Sequence, residues 1–349
     1  MMLVNVLALF NLVSLSSLLP RVAGSGFDIG FNYTRGYIGS NTYHYLLCKP
    51  SGEPIGTIFL LHGFPDLSYG WRYQIPTLTS LGFQVIAPDM LGCGRSSAPV
   101  ALTKFSLKSM SNDLATLINR IVPGEQVILG GHDWGGAMVY RTALWHPELF
   151  KGIFSVCTPY FPPTTRYVDL ADQIAAGINP TFGYQLQLRN STYDLYFNAP
   201  HRIRQILTAF YGGRTPDGEL GFDSRTGLIF ENLPYLQPSP LIGDADMNYY
   251  VAQYFKNRMR GPMSWYRTAE INFNDELPLA CEEAVNFSMP GLYIGATQDT
   301  ALPPEMSAGM EKYFHPGLTR GTVVSSHWAL WHASQNVSKL IGDWCGTLT

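Results

Sequence analysis

The stretch Leu129–Met138, "LGGHDWGGAM", decides how the rest of the chain is read. Within it, Gly131-His132-Asp133-Trp134-Gly135 has the spacing of a Gly-x-Ser-x-Gly nucleophile elbow, with aspartate where serine usually stands. Upstream, "EQVILGG" is a short apolar run ending in glycines, which predicts a buried strand. Downstream, "AMVYRTALWH" has the apolar spacing and length of a helix, stopped by Pro147. Strand, sharp turn and helix thus surround Asp133, and the small residues beside it permit a turn that pushes its side chain out. Taken alone, Asp133 reads equally well as a helix N-cap.

The same theme recurs outward from the elbow. "TYHYLLCK" at 42–49 alternates like an early strand, and "GTIFLLHG" at 56–63 is the continuous apolar run of a fully buried parallel strand. "FQVIAPDMLGCGRS" at 83–96 predicts a strand and a glycine-rich turn, and 105–121 an amphipathic helix closed by Pro123-Gly124. Further strands are expected in 150–159, 288–296 and 319–327, and a terminal helix over 333–345. Alternating strands and helices predict an α/β fold with a mostly parallel central sheet covered on both faces. Residues 160–275 break the pattern with dense Tyr, Phe, Asn and Pro and are expected to form an inserted, mainly helical cap. The core is then 25–159 together with 276–349.

Composition narrows the class. With 349 residues, 46% of them hydrophobic, the chain has ample material for a large core. A net charge of −3 with 23 Lys+Arg leaves no basic footprint for nucleic acid. Five scattered cysteines (Cys48, Cys93, Cys157, Cys281, Cys345) suggest neither a metal site nor a disulfide framework and are expected to be mostly buried thiols. Residues 1–24 are apolar and then small, as in a signal peptide or short anchor, but lack a basic start. Sequons at Asn32, Asn190, Asn286 and Asn336 fit a secretory route, whereas a glycan on Asn190 would crowd the cap. The chain is accordingly secreted or endomembrane-associated if 1–24 act as leader or anchor, and cytoplasmic otherwise.

An elbow nucleophile in such a fold needs an acid and then a histidine later in the chain. Asp299 follows the strand "GLYIGA", and His327 follows "GTVVSS". Either alone is most simply a turn aspartate or a structural histidine. Three residues in the right order, each at a strand's carboxyl end, favour catalysis. "HGFPD" at 62–66 follows the strand expected beside the elbow, so the main-chain N–H groups of Phe64 and Trp134 are candidate oxyanion-hole donors. Pro65 is a candidate cis residue, and His62 belongs to the turn. An aspartate selects the chemistry: carboxylates suit displacement at saturated carbon and need no base at neutral pH. Attack by Asp133 gives an alkyl ester, which water activated by the His327–Asp299 pair would then hydrolyse. Epoxides and haloalkanes are the matching substrates.

From about residue 40 onward the chain resembles epoxide hydrolases of the α/β-hydrolase superfamily, especially soluble and filamentous-fungal members. The resemblance rests on "HGFPD", "GGHDWGG", "GATQDTALPP", "SSHWAL" and two cap segments, "NPTFGYQLQL" (179–188) and "RGPMSWYRT" (260–268). It implies that Tyr184 and Tyr266 point into the site and donate hydrogen bonds to the epoxide oxygen. Ring opening makes an alkoxide, and a phenol of pKa about 10 is a suitable positioned acid. The sequence after Tyr184 departs from many animal relatives. A dehalogenase on the same Asp–His–Asp machinery is the alternative enzyme, although Phe64 stands where such enzymes usually carry a polar side chain. A non-catalytic binding protein of this fold would typically have lost one of the five residues. The expected partners are a small apolar epoxide and water, with no metal or organic cofactor required; a monomer and a homodimer both fit.

Overall fold

A computed structural model describes residues 33–38 and 41–348; segment 1–24 and Asn32 lie outside the described residues. The apolar runs become strands: β1 (Tyr33–Ile38), β2 (Asn41–Cys48), β3 (Gly56–Leu61), β4 (Phe83–Pro88), β5 (Val127–His132) and β6 (Phe150–Val156). After a long excursion come β9 (Gly291–Ala296) and β10 (Leu318–Val323); within the excursion, β7 (Phe222–Asp223) and β8 (Gly227–Leu228) form a small hairpin. The main sheet has eight strands in the order β1-β2-β4-β3-β5-β6-β9-β10. β2 pairs antiparallel with β1 and β4, and the other pairings are parallel. β4, β5 and β9 are buried along their whole length, so neither face of the central sheet meets solvent.

Helices supply that cover. Helix α1 (Gln74–Ser80) packs on the C-terminal helix Ser334–Gly346, and α2 (Leu107–Ile121) on α3 (Trp134–Trp145). The predicted start of α2 at 105 falls in a 3-10 turn, Leu102–Phe105. Ser106 then caps α2, its hydroxyl accepting from the Ser109 amide at 3.1 Å. Sequence reading also passed over β1, α1 and the hairpin.

Between β6 and β9 the chain contributes nothing to the sheet. It forms short helices, among them Gly183–Leu188, Pro200–Phe210, Asp244–Asn257 and Ala269–Cys281, over the carboxyl ends of the parallel strands. Aromatic stacking holds part of this layer together: Tyr193 and Phe197 lie nearly parallel to Phe230, with ring centroids 5.2 and 6.2 Å away.

Candidate active site

Asp133 joins β5 to α3 with φ 54° and ψ −125°, a backbone conformation that side chains rarely adopt. Two close approaches explain the glycines around it. A Cβ on Gly135 would lie 2.1 Å from the Leu61 carbonyl oxygen, and one on Gly63 would lie 2.2 Å from Asp133 Oδ1. Asp133 occupies the N-cap position of α3, but its side chain does not cap the helix. The carboxylate instead faces the turn that follows β3, where Oδ1 accepts the Phe64 amide at 2.7 Å. Its own carbonyl is held by the Thr158 hydroxyl at 2.7 Å.

The structure brings the acid and the histidine to this carboxylate. β9 ends at Ala296 and Asp299 follows in a turn, its Oδ1 accepting the amides of Ala301 and Leu302, each at 2.9 Å. Three residues carry the chain from the end of β10 to His327. Its Nδ1 lies 2.7 Å from Asp299 Oδ2, and its Nε2 lies 3.5 Å from Asp133 Oδ2. Burial works against protonating this imidazole, but the Asp299 charge and the bonds to both carboxylates outweigh it and raise its pKa to about 10. Burial likewise disfavours ionised Asp299, yet His327 and the two amides hold its pKa below the usual value.

The two predicted oxyanion donors differ in what they do here. The Phe64 amide already holds Asp133 Oδ1. Trp134 is the first residue of α3, so its amide has no intrahelical acceptor. The Phe64–Pro65 peptide is cis. His62 is buried in the turn: its Nε2 accepts from the Met90 amide and its Nδ1 donates to the Gly63 carbonyl, both at 2.8 Å. Burial lowers its pKa to about 4.

Tyr184 lines the cavity that opens onto this carboxylate, whereas Tyr266 is not among its lining residues and packs against Tyr184, Phe64 and Trp134. Gly183 lets Tyr184 enter, because a Cβ there would lie 1.6 Å from the Arg225 carbonyl of the β7–β8 turn. The Tyr184 amide bonds the Ser224 carbonyl at 3.1 Å, and Ser224 and Thr181 donate their hydroxyls to the carbonyls of Thr300 and Ala301. The Tyr184 segment is therefore fastened to the loop that carries Asp299. Tyr266 lies in the 3-10 turn Ser264–Arg267, anchored by the Trp265 indole on the Leu91 carbonyl at 3.0 Å. Arg267 ties the two segments together through Asp194 (2.6 and 3.0 Å) and the Arg189 carbonyl (3.0 Å). The tyrosine rings meet edge to face at 6.0 Å, and Tyr266 also touches Phe64 and Trp134. Burial raises both phenol pKa values well above the ordinary one, with the Asp133 charge adding to it, so both are donors.

A cavity of about 320 Å³ opens onto Asp133, His327, Tyr184 and Phe64, with Phe210, Phe222, Leu241 and Trp328 giving it an apolar wall. Among the described residues, one group could hold a metal: His132, Cys157 and His327, whose ligand atoms lie within 4.8 Å of one another. Both His327 nitrogens already face carboxylates, while His132 Nε2 and the Cys157 thiol both donate to the His327 carbonyl, at 2.8 and 3.4 Å. These two residues therefore support the histidine from behind. Sequence reading missed that role, for which neighbouring side chains offer no local signal.

Comparison with known proteins places the chain in a family. Residues 56–333 match the family model of the α/β-hydrolase fold. The chain is 45% identical over 316 residues to epoxide hydrolase srdG of Neurospora crassa, covering 87% of this chain and 92% of that protein. It is 32% identical to the bifunctional epoxide hydrolase 2 of Sus scrofa over 335 residues, 88% of this chain but 55% of the pig protein. It thus spans about half the length of that bifunctional relative. The chain belongs to the epoxide hydrolases of the α/β-hydrolase fold. Among solved structures, epoxide hydrolase A from Mycobacterium thermoresistibile superposes with a TM-score of 0.74, covering 90% of this chain and 97% of that one. A laboratory-evolved potato epoxide hydrolase reaches 0.76, covering 91% and 99%; at 23% and 20% identity these likenesses concern the fold.

Proposed function

We propose that the chain converts epoxides to vicinal diols in two steps through an Asp133 alkyl ester, and that 160–275 act as the cap closing the site. The observation that carries this is the pairing of an elbow carboxylate with two buried phenols, whose rings meet edge to face at 6.0 Å, with Tyr266 packed against Phe64 and Trp134 on either side of the carboxylate's turn. Asp133 Oδ1 is occupied by the Phe64 amide, which leaves Oδ2 to attack the less hindered or better polarised epoxide carbon. The C–O bond breaks and its electron pair goes to the epoxide oxygen, which Tyr184 and Tyr266 hydrogen-bond and one of them protonates. The phenolate then regains its proton from His327, whose hold on it weakens once Asp133 is esterified. In the second step His327 takes a proton from water, the hydroxide attacks Asp133 Cγ, and Oδ1 becomes the oxyanion held by Phe64 and Trp134. Collapse breaks the Cγ–Oδ2 bond, and the departing alkoxide takes the proton that His327 Nε2 received from water. The diol leaves carrying Oδ2, and a water oxygen takes that oxygen's place in Asp133.

The electrostatics provide timing. While Asp133 is a carboxylate, it helps keep His327 protonated. Esterification removes that charge, so the imidazole pKa falls below about 10 and His327 becomes a base when one is needed. Ester formation does not use neutral His327, whereas ester hydrolysis does. Lowering the pH should therefore slow the second step and leave the first comparatively unchanged. Rapid-quench mass spectrometry across a pH series would show the alkyl-enzyme fraction growing on acidification; a fraction that shrinks would reverse the assignment of His327 as base.

Replacing both Tyr184 and Tyr266 by Phe removes every phenolic donor assigned to the epoxide oxygen. Ester formation should slow by about 10²- to 10⁴-fold, the usual worth of a general acid, with far less effect on ester hydrolysis. Single-turnover rates for the two steps separate the outcomes, and equal slowing of both would refute the role. Dehalogenation would need the Trp134 indole N–H for a departing halide, whereas here the Trp134 ring packs edge to face against Tyr266, with centroids 5.3 Å apart. Purified protein given aryl and alkyl epoxides beside matched chloro- and bromoalkanes should yield diol and no free halide. Halide without diol would overturn the proposal.

A further inference from the structure

The turn that carries the Phe64 amide is gripped from the cap by three buried tyrosines. Gly63–Asp66 closes on itself through the Asp66 amide and the Gly63 carbonyl at 3.1 Å. On its outer side, the Tyr211 phenol donates to the Pro65 carbonyl, and the Tyr254 phenol to the Asp66 carbonyl at 2.7 Å. Tyr250 completes the grip on Asp66 Oδ1 at 2.6 Å. Tyr250 and Tyr254 are four residues apart on helix Asp244–Asn257, so both face the same way, and Tyr211 directly follows helix Pro200–Phe210. None of the three has more than 1% of its surface exposed.

We infer that Tyr211, Tyr250 and Tyr254 are positioning residues that aim the Phe64 amide, so that the cap assembles the oxyanion hole. Two consecutive carbonyls held by fixed phenols set the peptide planes just beyond Phe64, while β3 and Asp133 hold the near side. An oxyanion donor acts through its preset aim at the developing charge, so a loosened turn costs most in the step where that charge appears. Charge develops on Asp133 Oδ1 during ester hydrolysis. The cap would thus serve both halves of the reaction, with Tyr184 and Tyr266 acting on the epoxide and the other three tyrosines acting through Phe64. This inference rests on the two-step reading proposed above.

Tyr211→Phe, Tyr250→Phe and Tyr254→Phe each delete one hydroxyl and keep the ring. Each should slow ester hydrolysis by about tenfold, a fraction of the 10²- to 10³-fold cost of losing an oxyanion donor outright. Ester formation should change by less than about threefold, so the alkyl-enzyme accumulates at steady state. Tyr69→Phe is the control: its phenol bonds Asp246 on the cap helix at 3.0 Å and does not touch the turn. It should leave the ratio of the two rates unchanged. Equal slowing of both steps in the three variants, or the same change of ratio in Tyr69→Phe, would overturn the inference. Hydrogen exchange at the Phe64 amide provides a second readout that does not depend on the ester scheme. Exchange should accelerate in the three variants and not in Tyr69→Phe; unaltered exchange in all four would overturn the inference even if the ester intermediate is real. A wild-type chain that forms no ester, with exchange accelerated as expected, would refute the two-step reading alone.

Discussion

Asp133→Ala should abolish diol formation, lowering kcat by on the order of 10⁴-fold or more, the scale seen when a covalent nucleophile is removed. The variant loses the atom that attacks, and no other carboxylate replaces it. Asp299 shares His327 with Asp133, but its Oδ1 is taken up by two amides and its Oδ2 by His327. The fold should survive: α3 does not depend on this side chain for its cap, and β5 is buried along its length regardless of residue 133. Circular dichroism and the melting temperature should therefore stay near wild type while turnover disappears. Activity within tenfold of wild type would show that Asp133 is not the nucleophile.

His327→Gln should separate the steps. Glutamine keeps a polar side chain near Asp299 but cannot accept a proton from water, so ester hydrolysis should fall by about 10²- to 10⁴-fold, the contribution of a general base. Ester formation needs no base and should proceed. The variant treated with a reactive epoxide should gain the mass of one epoxide on the peptide containing Asp133, in a stoichiometry of one per chain. Fresh enzyme that consumes epoxide without gaining this mass would contradict the assignment of His327 to the second step.

Much of this site was legible in the sequence because elbows impose steric rules on short stretches. Gly131, Gly135 and Gly63 stand where a Cβ would strike backbone or Asp133 itself, and such spacing can be read without a structure. Asp299 was legible from its place beyond the buried apolar run of β9, and His327 from its place beyond β10, a largely exposed edge strand. Tyr184 and Tyr266 were reached by resemblance, since the chain has 20 tyrosines and spacing does not single these two out. Tyr211, Tyr250 and Tyr254 were missed for the same reason: their partners lie 146 to 188 positions away, and nothing local records such a bond. The helices Arg260–Met263 and Tyr193–Tyr196 are single turns, too short for a periodic signal, and β7 and β8 have two residues each. What orders them is tertiary: Arg267 on Asp194, and Gly92 against Gly261, where a Cβ on Gly92 would lie 2.6 Å from the Gly261 carbonyl carbon.

The central claim is that the oxygen added to the epoxide comes from Asp133 and is replaced from water afterwards. A single turnover in ¹⁸O-water, with enzyme in excess over epoxide, tests it directly. The diol should emerge unlabelled, and the Asp133 peptide should gain one ¹⁸O. Label in the diol with none in the peptide would mean that water attacks the epoxide itself, leaving Asp133 no role as nucleophile.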